Sequence, residues 1–164
     1  MSKTVEDLKA AFAGESQANR KYLAFAKKAD QEGFPMAARL FRAAAAAETV
    51  HAHAHLKVLG GIKSTKENIM EAVEGESYEF QNMYPGMIED AKAEGNKQAL
   101  QSFEFANAVE KIHAQLYQKM LDNLDNQTMV DVYICPVCGM TVEGEPPEKC
   151  PVCGALKKFF ERID

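Results

Sequence analysis

Two short segments of the sequence place a histidine three residues after a glutamate. Glu48 and His51 lie in ETVH, and Glu110 and His113 lie in EKIH. Residues three apart lie on one face of an α-helix, so each carboxylate and its imidazole point the same way. Carboxylate oxygen and imidazole nitrogen together suit iron or manganese. A single Glu-x-x-His is common by chance, but two copies in matching surroundings indicate a metal site.

A lone glutamate in the motif GES precedes each of these pairs. Glu48 follows Glu15 by 33 residues, and Glu110 follows Glu76 by 34, so the chain resembles two copies of one helical hairpin. Glu79 adds a fifth carboxylate one turn beyond Glu76. Ferritin-like bundles bind two iron ions with such a set of ligands. Two divalent cations would also offset the charge of carboxylates that are otherwise costly to bury.

Plainer interpretations of the same residues remain open. The carboxylates of the two pairs could be solvated if the apolar seam of each helix were slightly rotated. His53 lies off the seam and is expected to be exposed, while His55 is expected to be a hydrogen-bonded core histidine. Tyr22 and Tyr84 lie two turns beyond the lone glutamates. They could simply pack with their hydroxyls satisfied, or hydrogen-bond a metal-binding carboxylate.

Four cysteines form two copies of the knuckle C-P-V-C-G near the C-terminus: Cys135, Cys138, Cys150 and Cys153. The two knuckles can build one tetrahedral site of four thiolates. Gly139 and Gly154 would let the backbone turn sharply, so that amide groups approach the sulfurs. Such a site fits zinc and iron equally. A structural zinc ribbon is the simplest interpretation of this segment alone, but a one-electron iron centre is favoured beside a di-iron bundle.

Four stretches with helical spacing are needed to position these ligands. They cover residues 4–31, 36–59, 64 onward and 96–124, with a kink expected at 84–86. The fold class is therefore predicted as mainly α. A ferritin-like four-helix bundle over residues 1–125 is expected, followed by a linker over 126–132 and a small rubredoxin-like metal-knuckle domain over 133–164. The last segment is too short to build a sufficient apolar core without a metal.

Composition excludes several other classes of protein. The formal net charge of −5 does not favour a nucleic-acid-binding surface. No apolar run approaches the roughly 20 residues of a membrane helix, and the N-terminal segment lacks the apolar core of a signal peptide. A cytoplasmic location is predicted, where cysteines are better suited to bind metal than to form disulfides.

Over its whole length the chain resembles the rubrerythrin family, through GESQANRKY, ETVH, GESYEFQNMYPGM and EKIH. The resemblance implies a non-haem di-iron peroxidase that reduces hydrogen peroxide to water, with electrons relayed through a mononuclear four-cysteine iron centre. His51 is implied to be a redox-dependent ligand that trades places with Glu79, so these two residues act in catalysis. Tyr22 and Tyr84 are implied to lie beside the di-iron site. The implied di-iron ligands are Glu15, Glu48, His51, Glu76, Glu79, Glu110 and His113.

The resemblance also implies partners and cofactors. Two iron ions are expected in the carboxylate site and one on Cys135, Cys138, Cys150 and Cys153, with zinc possible in either site after purification. Hydrogen peroxide and an electron-donor protein or reductase are the expected partners. The rival hypotheses are ferritin-like iron oxidation and sequestration, and a zinc-ribbon interaction module on a helical scaffold.

The connection between the second and third helices predicts a homodimer. Its four residues, 60–63, span at most about 14 Å, whereas the preceding helix of 24 residues is about 36 Å long. A long crossover within one chain is therefore not expected. Either the helices run up-down-up-down, or two chains exchange hairpins, which is the favoured prediction. The cysteine domain is expected to be far from the di-iron site of its own chain and nearer that of a neighbour.

Overall fold

The chain is mainly helical, and a small domain with short strands follows the helices, which confirms the predicted fold class. The structure is a computed structural model that describes residues 2–164. It divides into two compact units, one ending at Lys63 and the other beginning at Ser64. The helices are α1 (Lys3–Gln31), α2 (Pro35–Val58), α3 (Thr65–Tyr78), α4 (Tyr84–Ala93) and α5 (Lys97–Asp122). The strands are β1 (Val132–Ile134), β2 (Thr141–Glu143) and β3 (Glu161–Ile163).

The first unit is a hairpin of α1 and α2. Gly33, with a φ of +80°, makes the turn between the helices, and Pro35 begins α2, where its missing N–H is not needed. The side-chain amide of Asn19 donates to the Ala45 carbonyl at 2.7 Å and to the Thr49 hydroxyl at 2.8 Å. Small buried side chains let the two helices approach closely: Ala26, Ala29, Ala38, Ala45 and Ala52.

The second unit begins with the predicted capping box. The Ser64 hydroxyl accepts from the backbone of Glu67, and the Glu67 carboxylate accepts from the backbone of Ser64. Helices α3 and α4 both pack against α5. Asn96 caps α5 by accepting from the backbone of Ala99 at 3.1 Å. These helices therefore form a second helical hairpin, whose first arm is interrupted.

The interruption is a π-helical turn over Glu79–Met83, directly before residues 84–86, where the sequence predicts a kink. Across this turn the Tyr84 N–H donates to the Glu79 carbonyl, five residues back. The physical cause is Pro85, which has no N–H to donate and whose ring would clash with the carbonyl of Gln81 four residues earlier. The helix therefore widens before the proline and continues from Tyr84 as α4.

The small domain is a three-stranded antiparallel sheet, in the order β2-β1-β3, with two cysteine knuckles. Its core is completed by α5. Val109 of α5 is 2% exposed and clusters with Cys135, Met140 and Cys150, and Ile112 packs against the same cluster. The small domain is therefore joined to the helical part of the second unit by apolar packing as well as by the chain.

The segment between α5 and β1 contains one 3₁₀ turn, Leu124–Asn126. The domain boundaries at residues 126 and 132 stay a prediction. Within the part of the chain that the structure describes, no helix combines the length and apolarity needed to cross a membrane.

Replacing Val109 with alanine should loosen the small domain from α5. Removing two buried methyl groups is expected to lower the free energy of unfolding by about 2 kcal/mol. The measurement is denaturant unfolding followed by the absorbance of the metal–thiolate centre. Val137→Ala is the matched control, because Val137 lies in the same domain but is 60% exposed. An equal loss of unfolding free energy in the two variants would show that Val109 does not join the small domain to α5.

Candidate metal centres

The first unit brings together Glu15 of α1 with Glu48 and His51 of α2. One donor atom from each of the three lies within 4.8 Å of the others. The Nδ1 of His51 is 2.8 Å from an Oε of Glu48. The Glu48 side chain is 18% exposed, so it is not fully solvated, whereas that of His51 is 54% exposed. Helical spacing explains the Glu48–His51 pair, and the packing of α1 against α2 adds Glu15.

The second unit repeats this arrangement with Glu76 of α3 and with Glu110 and His113 of α5. Their donor atoms also lie within 4.8 Å of one another. The Nδ1 of His113 is 2.8 Å from an Oε of Glu110 and 3.7 Å from an Oε of Glu76. All three side chains are partly buried. Each unit therefore holds half of the donor set that ferritin-like di-iron proteins use.

The carboxylates of the second group repel one another. Burial raises the pKa of Glu76, and the neighbouring Glu110 raises it further, against an opposing effect of His113. Burial, and then the charge of Glu76, raises the pKa of Glu79. A divalent cation bound between these groups would remove the repulsion, because it attracts every carboxylate at once. The donor set therefore fits a hard or borderline cation such as iron.

Glu79 lies outside the group of three, at the first position of the π-helical turn. Its electrostatic interaction with Glu76 places it close by, since the charge of Glu76 raises its pKa. A π-helical turn inside an α-helix often marks a functional site. The sequence predicts Glu79 as a ligand, and that role stays a prediction.

The two tyrosines differ in their surroundings. Tyr22 packs among aromatic rings, with centroids 6.3 Å from Phe25 and 6.1 Å from Phe41, as a packing role predicts. Burial raises the pKa of Tyr84, and so do the charges of Glu110, Glu79 and Glu76. Tyr84 therefore keeps its phenolic proton and lies near the carboxylates.

The remaining histidines of α2 take no part in either group. His53 is exposed, as its position off the apolar seam predicts. His55 is partly buried within the first unit, and its expected role as a hydrogen-bonded core histidine stays a prediction.

The four cysteine sulfurs form one compact cluster. Their Sγ atoms lie within 4.8 Å of one another, with Cys135 to Cys153 and Cys138 to Cys150 both at 3.6 Å. A tetrahedral metal with sulfur bonds of about 2.3 Å requires sulfur–sulfur edges of about 3.8 Å. The spacing therefore suits one tetrahedral ion without rearrangement of the chain.

The two knuckles have the same backbone geometry. The N–H groups of Gly139 and Gly154 donate to the carbonyls of Cys135 and Cys150, each at 2.8 Å. Both glycines have positive φ, +85° and +79°, which is strained for any residue with a Cβ. The role assigned to these glycines from the sequence therefore agrees with the backbone.

The thiols differ in their readiness to ionise. Burial raises the pKa of Cys138. At Cys150 burial opposes ionisation, but hydrogen bonds from the backbone N–H groups of Cys153 and Val152, together with those from the thiols of Cys138 and Cys153, lower the pKa. Backbone donors of this kind stabilise thiolate charge whether or not the charge is shared with a cation.

A contact that the sequence does not predict joins the small domain to the second carboxylate group. The Thr141 hydroxyl, on β2, lies 2.9 Å from the Nε2 of His113. A cavity of about 280 Å³ beside this contact is lined by Glu76, His113 and Thr141, among others. The expectation that the small domain lies far from the metal ligands of its own chain is therefore wrong for the ligands of α3 and α5.

The physical reason is the length of the chain between α5 and β1. His113 lies nine residues before the end of α5, a distance of about 14 Å along the axis. The nine residues 123–131 can reach about 30 Å when extended. The chain can therefore return along α5 instead of continuing beyond its end. No motif in the sequence distinguishes Thr141 as a contact of His113.

Comparison with known proteins agrees with this architecture. The family model described as rubrerythrin matches residues 6–121, and the model of the rubrerythrin rubredoxin-like domain matches residues 133–161. Rubrerythrin-2 of Clostridium acetobutylicum is 35% identical, over 96% of this chain and 95% of its own. Nigerythrin of Nitratidesulfovibrio vulgaris is 37% identical, over 96% of this chain and 85% of its own. The structure of fully reduced, all-ferrous nigerythrin is similar at a TM-score of 0.61, with 36% identity over 99% of this chain and 88% of that one.

Replacing Glu76 with glutamine should stabilise the chelated protein while it abolishes iron binding at the carboxylate site. Since its pKa is raised in the folded chain, ionised Glu76 destabilises the metal-free fold, and the amide has no such charge. The advantage of the variant should grow as the pH rises above the ordinary glutamate pKa, because the unfolded wild-type chain then loses the Glu76 proton more readily than the folded chain. Thermal unfolding of chelated protein and iron analysis of loaded protein test both effects, with a Tm increase of a few degrees expected.

Glu74→Gln is the matched control for this substitution. Glu74 is exposed on the same helix and belongs to no metal-binding group. It should change neither the Tm nor the iron content. Full iron content in Glu76→Gln would remove Glu76 from the set of ligands.

Proposed function

The chain belongs to the rubrerythrin family, and on that premise we propose that it is a non-haem di-iron peroxidase that reduces hydrogen peroxide to water. The observation that carries the proposal is the presence in one chain of two matched glutamate–histidine groups and a four-cysteine cluster. The reaction uses two electrons. The carboxylate site is suited to hold both of them, and the four-cysteine centre is suited to deliver them to that site one at a time. A cytoplasmic location, where peroxide and reductases are both available, belongs to the same proposal.

The predicted iron cofactors are confirmed by the match of both domains to the family and by the presence of both kinds of donor cluster. Which residue binds which iron is part of the proposal. Cys135, Cys138, Cys150 and Cys153 hold the mononuclear iron. The di-iron ligands are Glu15, Glu48, His51, Glu76, Glu79, Glu110 and His113.

The reaction consumes one hydrogen peroxide, two electrons and two protons, and yields two waters. Iron held in the carboxylate site would supply the two electrons and act as Lewis acid and template. Glu79 and His51 would hold this iron in turn, the carboxylate being suited to the oxidised state and the imidazole to the reduced state. His51 is suited to this movement, because its side chain is the more exposed of the two histidine ligands.

Tyr84 and the bridging carboxylates prepare the site for this reaction. Tyr84 keeps its proton near the charges of Glu110, Glu79 and Glu76, so its hydroxyl is a candidate donor to a metal-binding carboxylate. A hydrogen bond of that kind would fix the orientation of the carboxylate while the charge of the site changes. Tyr22, packed among phenylalanine rings, has a mainly steric role in the first unit.

The small domain delivers electrons that an external donor protein or reductase supplies. Its contact with His113 through Thr141 favours transfer to the carboxylate group on α3 and α5 of the same chain. This route differs from the expectation based on sequence, in which electrons reach only the site of a neighbouring chain.

We also propose a homodimer in which two chains exchange hairpins. Residues 59–64 connect α2 to α3, and seven backbone steps of about 3.6 Å reach about 25 Å. Helix α2 has 24 residues, which corresponds to about 36 Å. A ferritin-like bundle needs a crossover of that length, so each di-iron site would combine α1 and α2 of one chain with α3 and α5 of another.

Purified, iron-loaded protein should turn over hydrogen peroxide when a reductant is supplied, with about three irons per chain. His51→Ala should slow turnover at least tenfold while most of the iron remains bound, because His51 serves in only one redox state. The measurements are peroxide consumption, iron content and the visible spectrum of the thiolate iron. His53→Ala is the matched control, an exposed histidine on the same helix that belongs to neither group.

The rival functions give different outcomes in the same experiment. Iron sequestration would leave many irons per chain and no sustained consumption of peroxide. A zinc-ribbon interaction module would give colourless protein with no peroxidase activity. Equal loss of iron and activity in His51→Ala would contradict the proposed exchange with Glu79.

Mixed dimers should reveal both the hairpin exchange and the route of the electrons. In an exchanged dimer, a Cys138→Ser chain mixed with a Glu48→Ala chain forms one complete di-iron site. That site takes α3 and α5 from the chain whose cysteine centre is intact, so activity should return. A Cys138→Ser chain mixed with a His113→Ala chain should stay inactive. Its complete di-iron site lies beside the damaged cysteine centre.

The two mixtures together distinguish three arrangements. Activity in both would indicate unexchanged chains with transfer between them. Activity in neither would indicate that each chain works alone, which would contradict the exchanged dimer. Each single variant refolded alone serves as the inactive reference.

A further inference from the structure

We propose that Thr141 of the small domain is a positioning residue for the di-iron site, because it fixes the ring orientation and tautomer of His113. The inference rests on the proposed function in one respect, that His113 is a metal ligand. It assigns to the small domain a part in building the carboxylate site, in addition to the delivery of electrons.

The hydrogen-bond geometry around Thr141 determines the tautomer. The Thr141 hydroxyl donates its only proton to the Gly139 carbonyl at 3.2 Å. The oxygen therefore has only lone pairs to offer to the Nε2 of His113, 2.9 Å away. With the hydroxyl proton on the Gly139 carbonyl, Nε2 carries an imidazole proton and donates it to Thr141. Nδ1 is then the nitrogen left to a metal ion, which would replace the proton in the 2.8 Å contact of Nδ1 with Glu110.

Nδ1 is the nitrogen that faces the carboxylates. It lies 2.8 Å from Glu110 and 3.7 Å from Glu76, at the centre of the donor group. The Thr141 hydrogen bond thus directs the metal-binding lone pair toward the place where a cation would lie. An imidazole held in this way binds metal without first changing its tautomer or its orientation.

Thr141 is itself held firmly. It begins β2, where it pairs with Ile134 of β1, and its side chain is partly buried. Its acceptor, the carbonyl of Gly139, belongs to the first cysteine knuckle, and Gly139 lies next to Val109 of α5. The orientation of His113 is therefore tied to the backbone that surrounds the four-cysteine centre.

The other glutamate–histidine pair provides an internal comparison. His51 has the same 2.8 Å contact between Nδ1 and its glutamate. Among the residues that the structure describes, no hydrogen-bond partner meets its Nε2, and the side chain is 54% exposed. The two matched pairs thus differ in the exposure of the histidine, in the contact with Glu76 and in the Thr141 hydroxyl, which restrains the ring of His113. These differences agree with one fixed and one exchangeable histidine ligand.

The test is proton exchange at the histidine rings of the full-length chain loaded with Zn²⁺, which is diamagnetic and accepts the same ligand types. With isotope-labelled histidine, NMR should show His113 with a protonated Nε2 and a metal-bound Nδ1. In Thr141→Val, which keeps the shape and removes the hydroxyl, this proton should exchange with water about tenfold faster. The affinity of the carboxylate site for Zn²⁺ should fall about tenfold.

Thr141→Ser keeps the hydroxyl and should restore both slow exchange and affinity. The proton of His51 should exchange at the same rate in all three proteins. A merely structural role of Thr141 would not give this pattern, because serine lacks the methyl group yet rescues. Colour of the cobalt- or iron-loaded cysteine centre checks that the small domain remains folded in each variant.

The outcomes separate this inference from the proposed function. If the wild-type carboxylate site binds no Zn²⁺ and His113 shows no bound Nδ1, the proposed set of ligands fails. If the wild type binds Zn²⁺ but Thr141→Val keeps slow exchange and full affinity, the role of Thr141 fails alone. A wild-type His113 with its proton on Nδ1, or with an unprotected Nε2 proton, overturns the inference without any variant.

Discussion

The structure depends on the repulsion among glutamates placed between apolar helix faces. Glu76 and Glu110 lie in one group of donor atoms no more than 4.8 Å apart, and Glu15 and Glu48 lie in another. Partly buried carboxylates at this spacing destabilise the fold unless positive charge is supplied. Cation binding therefore contributes to stability as well as to chemistry.

The two metal centres of the second unit share structural elements. Helix α5 carries Glu110 and His113. The residue directly before each of them, Val109 and Ile112 respectively, packs with the core of the small domain. One helix thus serves the carboxylate group with one set of side chains and the small domain with another. The hydrogen bond between His113 and Thr141 joins the two sets.

The sequence alone was sufficient for much of the site, and the reasons differ between residues. The Glu48–His51 and Glu110–His113 contacts follow from helical spacing, because residues three apart meet on one face. The four cysteines follow from their knuckles, since glycine is needed at each sharp turn. The fold class follows from the periodicity and length of the helices.

Other features depend on packing that spacing does not encode. The small domain could have extended beyond α5. The length of the connecting segment allows its return along the helix, and the apolar contacts of Val109 and Ile112 favour that arrangement. Thr141 therefore could not be found from a motif. The π-helical turn directly before Pro85 was likewise not predicted from the sequence.

That irregularity has a consequence for how the third helical segment can change during evolution. Across Glu79–Met83 the backbone N–H groups bond to the carbonyl five residues back instead of four. The segment therefore holds one residue more than a regular helix of the same length. Loss of that residue would restore regular bonding but rotate all following side chains by about 100° relative to those before. Tyr84 would then point away from the carboxylates, while Glu76 kept its place. Insertions and deletions should therefore be rarer in this segment than in the surface turns, even though its individual side chains can vary.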